Sequence, residues 1–111
     1  MGFFRKEVVD FALDRQTLQA IEEQRAAIAA HPAQPLPYYQ LALLYRMQGK
    51  QEEALGLLLE AVRLDASFAP AHVALAEIYA VRDDLGAASR HAALAAAQGN
   101  SEAQEMLKRW S

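Results

Sequence analysis

The chain of 111 residues has no cysteine, few aromatic residues and no long apolar run. The lack of cysteine excludes disulfide bonds, thiolate ligands for metals and cysteine nucleophiles. No apolar stretch approaches the ~20 residues that a helix needs to cross a bilayer. Val, Ile and Thr form no alternating runs, so nothing in the sequence predicts a β-strand. What remains abundant is Ala and Leu, the strongest helix formers, and an all-α domain is therefore expected.

The charge of the chain shows no strong bias, with a net value of −3 and a pI of about 5.5. Acidic and basic residues alternate along the sequence, so there is no basic stripe of the kind that binds nucleic acid. The first residues, Met1–Glu7, carry charge directly after two aromatics and do not form the apolar core of a signal peptide. We therefore expect a cytoplasmic protein.

The most informative feature is the return of residue types at a spacing of 34 positions. The matching sets are Leu41/Leu75, Ala42/Ala76, Phe11/Tyr45/Tyr79, Ala20/Ala54/Ala88 and Ala27/Ala61/Ala95. A fixed period of this length is typical of stacked helix pairs. Each pair leaves an apolar face that only a neighbouring pair can bury, so the units are expected to fold as one domain.

Turn and cap signals divide the chain into about seven predicted helices. They cover about residues 3–13, 15–30, 36–48, 51–64, 70–83, 85–98 and 102–110. Asp14 is the predicted cap between the first two helices, and Gly49 is the predicted left-handed end of the third. Ser101 and Gln104 form a predicted capping box for the last helix. Because the connectors are short, consecutive helices should be antiparallel neighbours.

This pattern resembles the tetratricopeptide repeat. Residues 35–68 match it at Tyr38, Leu41, Ala42, Tyr45, Gly49, Ala54, Leu58 and Ala61, and residues 69–102 at His72, Leu75, Ala76, Tyr79, Ala88, Ala92 and Ala95. In residues 1–34 the match is partial, since Glu7 stands where Leu is expected and no Gly separates the helices.

The resemblance implies an all-α, right-handed superhelical solenoid of antiparallel helix pairs, with a single domain over residues 1–111. Its expected parts are a degenerate repeat at 1–34, full repeats at 35–68 and 69–102, and a capping helix at 103–111.

The resemblance also implies that the first helix of each pair lines a concave groove. Its expected lining residues are Arg5, Val9, Leu13, Tyr39, Leu43, Met47, Val73, Glu77 and Val81, with Leu36, Arg46 and Ala80 at the margins. Most of them are apolar, which suits an amphipathic helix or an extended segment of a protein partner. The Lys and Asn side chains with which some family members clamp an acidic terminal tail are missing here.

Two other uses of the surface stay open at this point. A homo-oligomer could form through the groove or through a second patch at Leu57 and Leu59, beside Gly56, and a terminus of the chain could fold into the groove. A further alternative is that the apolar and basic first helix lies on a membrane surface. The register of Phe11 with Tyr45 and Tyr79 favours the first helix of a repeat instead.

Catalytic and metal-binding readings find little support in the sequence. His31, His72 and His91 do not have the spacing of helical metal ligands, and His72 stands where the preceding unit has Tyr38, a packing position. The serines and Thr17 have no evident base or orienting partner. We therefore expect no enzyme activity, no metal and no cofactor.

Overall fold

The computed structural model describes the backbone of residues 2–111 and the side chains of residues 14–111. Within that part of the chain all regular structure is α-helical. The helices are α1 (Gly2–Ala30), α2 (Pro35–Met47), α3 (Gln51–Leu64), α4 (Ala69–Val81), α5 (Leu85–Ala97) and α6 (Ser101–Trp110). No helix among the described residues is both long and apolar enough to cross a membrane.

The N-terminal region differs from the prediction, because α1 runs without interruption through Asp14. The structure thus has six helices over residues 2–111 where about seven were expected, and the predicted break at Asp14 is wrong. The physical reason is local: residues 3–30 contain neither Gly nor Pro, so nothing in this stretch ends a helix. The chain first turns at 31–34, where Pro32 and Pro35 follow His31.

The remaining helices form two pairs, α2 with α3 and α4 with α5, each joined by a three-residue connector. Gly49 and Asp83 occupy equivalent places in these connectors and both adopt a left-handed backbone, with φ of 79° and 64°. Such a residue ends a helix and reverses the chain within a few positions. The predicted antiparallel neighbours follow from this geometry.

Alanines allow the helices of each pair to approach closely. Ala42, Ala54 and Ala61 have no exposed surface, and neither do their equivalents 34 positions later, Ala76, Ala88 and Ala95. Around them two clusters of buried side chains form, one centred on Leu58 and Leu75 and the other containing Val73 and Met106. A methyl group is the largest side chain that such contacts hold without strain.

The last helix packs against the α4–α5 pair rather than standing free. Ala103 and Met106 of α6 are buried in the second cluster, and Trp110 packs against it. Asn100 caps α6, since its side-chain oxygen accepts a hydrogen bond from the backbone nitrogen of Ala103 at 2.8 Å. The predicted cap at Ser101 is therefore wrong by one residue, and Ser101 is the first helical residue.

Candidate partner-binding groove

The predicted groove lies between α2 and α4, and we name it the α2–α4 groove. Its central part is a cavity of about 320 Å³. The residues that line this cavity are Tyr39, Leu43, Arg46, Pro70, Val73, Ala74, Glu77, Asn100 and Glu102. Two further depressions continue from Arg46, one along Leu43 and Met47 and the other along Val81. Residues from two helix pairs thus form one surface.

The structure brings most of the predicted groove residues together. The central cavity is lined by Tyr39, Leu43, Arg46, Val73 and Glu77, and its two extensions by Met47 and Val81. Leu36 and Ala80 do not line these three cavities. The side chains of Arg5, Val9 and Leu13 lie outside the described residues.

Two large apolar side chains are exposed at one end of the α2–α4 groove, beside Arg46, Gln51 and Arg82. Met47 is 74% exposed and Val81 is 86% exposed, at the C-terminal ends of α2 and α4. Val73, at the other end, is buried, and Leu43 is half-buried between them. Apolar surface therefore stays in contact with water at the Met47 and Val81 end, and its burial by a partner would be favourable.

Charged side chains from both walls also face the groove. Arg46 of α2 lies 3.7 Å from Glu77 of α4, so this ion pair crosses the groove from one helix pair to the next. Burial raises the pKa of the Tyr39 hydroxyl, and the carboxylates of Glu77 and Glu102 raise it further, against a smaller opposing effect of Arg46. Two carboxylates and one guanidinium therefore face this cavity.

Some lining residues were not predicted from the sequence. Asn100 and Glu102, at the start of α6, close one end of the groove, and Pro70 and Ala74 form part of α4's wall. The repeat spacing contains a signal for Glu102, because it stands 34 positions after Phe68. The ring of Phe68 contacts the ring of Tyr39 edge-on, with 5.8 Å between the ring centroids. Phe68 thus lies at the groove one repeat before Glu102.

Comparison with known proteins agrees with this architecture. The tetratricopeptide repeat family matches residues 14–84, almost two thirds of the chain. The chain belongs to the tetratricopeptide repeat family. This fold is in general a non-catalytic scaffold for protein interactions. The expected family and the helical-repeat solenoid fold are thereby confirmed.

A solved structure supports the same fold. The chain is similar to MamA 41-end from Desulfovibrio magneticus RS-1, with a TM-score of 0.63 and 27% sequence identity. The similarity covers 97% of this chain and 55% of that one, so this chain spans about half the length of the structure it matches. No curated protein matches the sequence.

The tetratricopeptide repeat units form a second depression, which we name the α1–α3 cleft. It has a volume of about 560 Å³. Its lining residues are Arg25, Ile28, Ala29, Tyr38, Leu41, Tyr45, Glu53, Gly56 and Leu57. The residues of the predicted second patch are separated, since Leu57 lines this cleft while Leu59 is exposed and does not.

The second tetratricopeptide repeat contains a stack of three rings. His91 of α5 lies parallel to Tyr79 at 5.6 Å between ring centroids and stacks on His72 at 5.2 Å. His72 is buried, in agreement with its predicted role in packing. Among the described residues, no three His, Asp or Glu side chains come together as the ligands of a metal would.

Proposed function

We propose that this chain is a cytoplasmic, non-catalytic adaptor that holds a helix or an extended segment of a protein partner in the α2–α4 groove. The observation that supports this function is the convergence of five predicted residues from two helix pairs on one cavity. Tyr39, Leu43, Met47 and Val73 would provide apolar anchorage, and Arg46 and Glu77 would set the orientation of the ligand.

The length of the groove defines the size of the bound segment. Tyr39 and Met47 are eight residues apart on α2, as are Val73 and Val81 on α4. At ~1.5 Å per residue each wall is ~12 Å long, which equals about two turns of a ligand helix. Anchors at i, i+3, i+4 and i+7 of an amphipathic helix would span this distance.

The distribution of charge suggests the polarity of the ligand. Apolar anchors are expected near Met47 and Val81, where the apolar surface is most exposed. A basic side chain is expected near Glu77 and Glu102, because the cavity there holds two carboxylates and only Arg46 as a counter-charge. Charge of this kind contributes to specificity and association rate more than to affinity.

One observation favours a second candidate, a homo-oligomer formed through the same surface. Met47 and Val81 are large apolar side chains that are almost fully exposed at one end of the groove. Burial of such a patch against a second copy would remove it from water. Light scattering over a wide concentration range separates the two candidates, since a monomer at all concentrations would contradict self-association.

Affinity capture from lysate of the source cell tests the adaptor. The wild-type chain is compared with Leu43→Asp, which places a charge in the middle of the groove. The matched control is Leu94→Asp, because Leu94 is an exposed leucine on α5 outside the groove. We expect a partner that the wild type and Leu94→Asp hold and that Leu43→Asp loses, with circular dichroism to check that each variant is folded.

An identical set of captured proteins for all three chains would contradict a role for the groove. Loss of the partner with both variants would mean that the added charge abolishes binding by destabilising the fold, wherever it is placed. This result would also contradict the proposal.

A further inference from the structure

The α1–α3 cleft is separate from the α2–α4 groove, although both use α2. Tyr38, Leu41 and Tyr45 point into the cleft, whereas Tyr39 and Leu43 line the groove. These two sets lie on different faces of α2, as their spacing along the helix requires. What the cleft binds is therefore independent of the function proposed for the groove.

The repeat itself supplies an internal comparison for the cleft. A shift of 34 positions carries its lining residues onto equivalent positions of the next unit. These positions are Leu59, Val62, Arg63, His72, Leu75, Tyr79, Ala87, Arg90 and His91. This second set contains all three members of the ring stack.

In the second unit, the chain's own histidine ring occupies the equivalent space. His91 stacks on Tyr79 with only 7° between the ring planes, and its Nδ1 contacts that of His72 at 2.9 Å. His91 is half-buried in this position. In the second unit, a planar aromatic side chain of the protein itself therefore lies against Tyr79.

In the first unit this ring is missing. Leu57 stands where the second unit has His91, and Gly56 stands where it has Arg90. A Cβ atom added at Gly56 would meet no atom within 4 Å, so the space beside it is open. Tyr45, the equivalent of Tyr79, lines the cleft. The Nζ atom of Lys50 lies 5.3 Å from the centroid of its ring, and no ring from the position of His91 stacks on it.

We infer that the α1–α3 cleft is a docking site for an aromatic side chain of a partner protein. The ring stacks on Tyr45 as His91 stacks on Tyr79, between walls formed by Ile28, Ala29 and Leu57. Offset-stacked aromatic pairs are more favourable than their buried area alone accounts for. Arg25 and Glu53 at the cleft provide polar partners for the backbone that carries the ring.

The volume of the cleft agrees with this occupant. A space of about 560 Å³ is large enough for an indole or phenol ring and part of the adjoining chain. Aromatic side chains are also the anchors that protein interfaces use most often in pockets of this kind. The family's general role as a scaffold for protein interactions favours a protein over a small molecule as the source of the ring.

A titration followed by ¹H–¹⁵N NMR tests the chemistry of the cleft. The probe is N-acetyl-tryptophanamide, and N-acetyl-leucinamide is the aliphatic comparator. We expect the backbone amides of Ile28, Gly56 and Leu57 to shift with a dissociation constant in the millimolar range. The leucine probe should bind about three- to tenfold more weakly, since it lacks the ring.

Two matched variants exchange the residues at two equivalent positions of the two units. Gly56→Arg with Leu57→His gives the first unit the residues of the second, and it should abolish the shifts in the cleft. Arg90→Gly with His91→Leu makes the reverse change, and it should produce a second set of shifts around Ala87. Leu43→Asp should leave both results unchanged, so a failure of the groove and a failure of the cleft are distinguishable.

A selection of displayed random peptides on the Leu43→Asp chain tests the protein source of the ring. We expect enriched peptides to contain Trp, Tyr or Phe and to lose binding when Gly56→Arg and Leu57→His are added. No shift at the cleft amides up to the solubility limit of the probe, equal binding of the two probes, or shifts that persist in the closed variant would overturn the inference. Selected peptides without an aromatic residue would overturn it as well.

Discussion

The Nδ1 atoms of His72 and His91 lie 2.9 Å apart, and Nε2 of His72 lies 2.8 Å from the carbonyl oxygen of Ala66. Because a carbonyl only accepts, Nε2 of His72 carries a hydrogen and donates it. When His72 is neutral, its Nδ1 accepts, and Nδ1–H of His91 donates. Only one of the two facing nitrogens therefore carries a hydrogen.

The burial of His91 predicts that the protein loses stability as pH falls below neutrality. Burial lowers the pKa of His91, and the electrostatic effects of His72 and Arg90 lower it further. A histidine whose pKa is lowered in the folded state binds fewer protons there than in the unfolded state. Its contribution is thus complete above the unfolded pKa of about 6.5 and is lost as pH falls through the folded value. We expect a lower melting temperature at pH 5 than at pH 7.5.

The control for this effect is His91→Leu, which places in the second unit the residue that Leu57 provides in the first. It should flatten the dependence of melting temperature on pH between 7.5 and 5. The pKa of Glu60 is also lowered, by its hydrogen bond from Arg63, but that group titrates below about pH 4.5 and outside this window. An unchanged pH profile in His91→Leu would show that another group is responsible.

Ala54→Leu is expected to destabilise the fold. Ala54 has no exposed surface and lies in the cluster that joins α2, α3 and α4, so a larger side chain would overpack the contact. The expected cost is about 1–3 kcal/mol of unfolding free energy, seen as a melting temperature several degrees lower. Ala93→Leu, at an exposed position of α5, should have little effect. An unchanged or raised melting temperature in Ala54→Leu would contradict the close contact.

Two glycines should respond in opposite ways to the same substitution. Gly49 has a φ of 79°, so Gly49→Ala would force a side chain into the left-handed region at a cost of about 1 kcal/mol. Gly56 lies inside α3 with open space beside it, so Gly56→Ala should stabilise the helix by about 0.5–1 kcal/mol. Chemical denaturation measures both changes, and a shift of the same sign for the two variants would refute the assignment.

Loss of the cap of α6 should weaken the packing of the last helix. Asn100→Ala removes the acceptor for the backbone nitrogen of Ala103, which is worth about 1 kcal/mol at the start of a helix. Ser101→Ala is the matched control, because Ser101 is helical and does not form the cap. Urea unfolding measures both changes. Equal destabilisation by the two substitutions would contradict the assignment of the cap to Asn100.

The sequence allows much of the fold to be predicted because its signals are local and repeated. Helices α2, α3 and α5 begin and end within one residue of the predicted bounds, since Pro35, Gly49, Asp84 and Gly99 mark their ends. The buried alanines follow from the period of 34 residues alone. Around Asp14, by contrast, the prediction relied on the register of the repeat, and the local preference for a continuous helix prevailed.

Contacts that depend on three-dimensional neighbours could not be predicted in the same way. His72 and His91 are 19 residues apart and belong to different helices, so their contact appears only when α4 packs against α5. Likewise, the sequence indicated which α2 and α4 residues share a face, but not that Asn100 and Glu102 would close the groove. Their positions depend on the angle at which α6 leaves the α4–α5 pair.

The two walls of the α2–α4 groove belong to different helix pairs, and the contact of α3 with α4 holds those pairs together. Leu58, Ala61, Ala71 and Leu75 lie in the cluster at this contact, behind the surface that a ligand would touch. The separation of Leu43 from Val73 is therefore set by side-chain volumes on the far side of the wall. A change of side-chain volume at Ala61 would alter the distance between the two helix pairs and hence the width of the groove. Ala61 would thus affect which ligands fit, although it does not contact them.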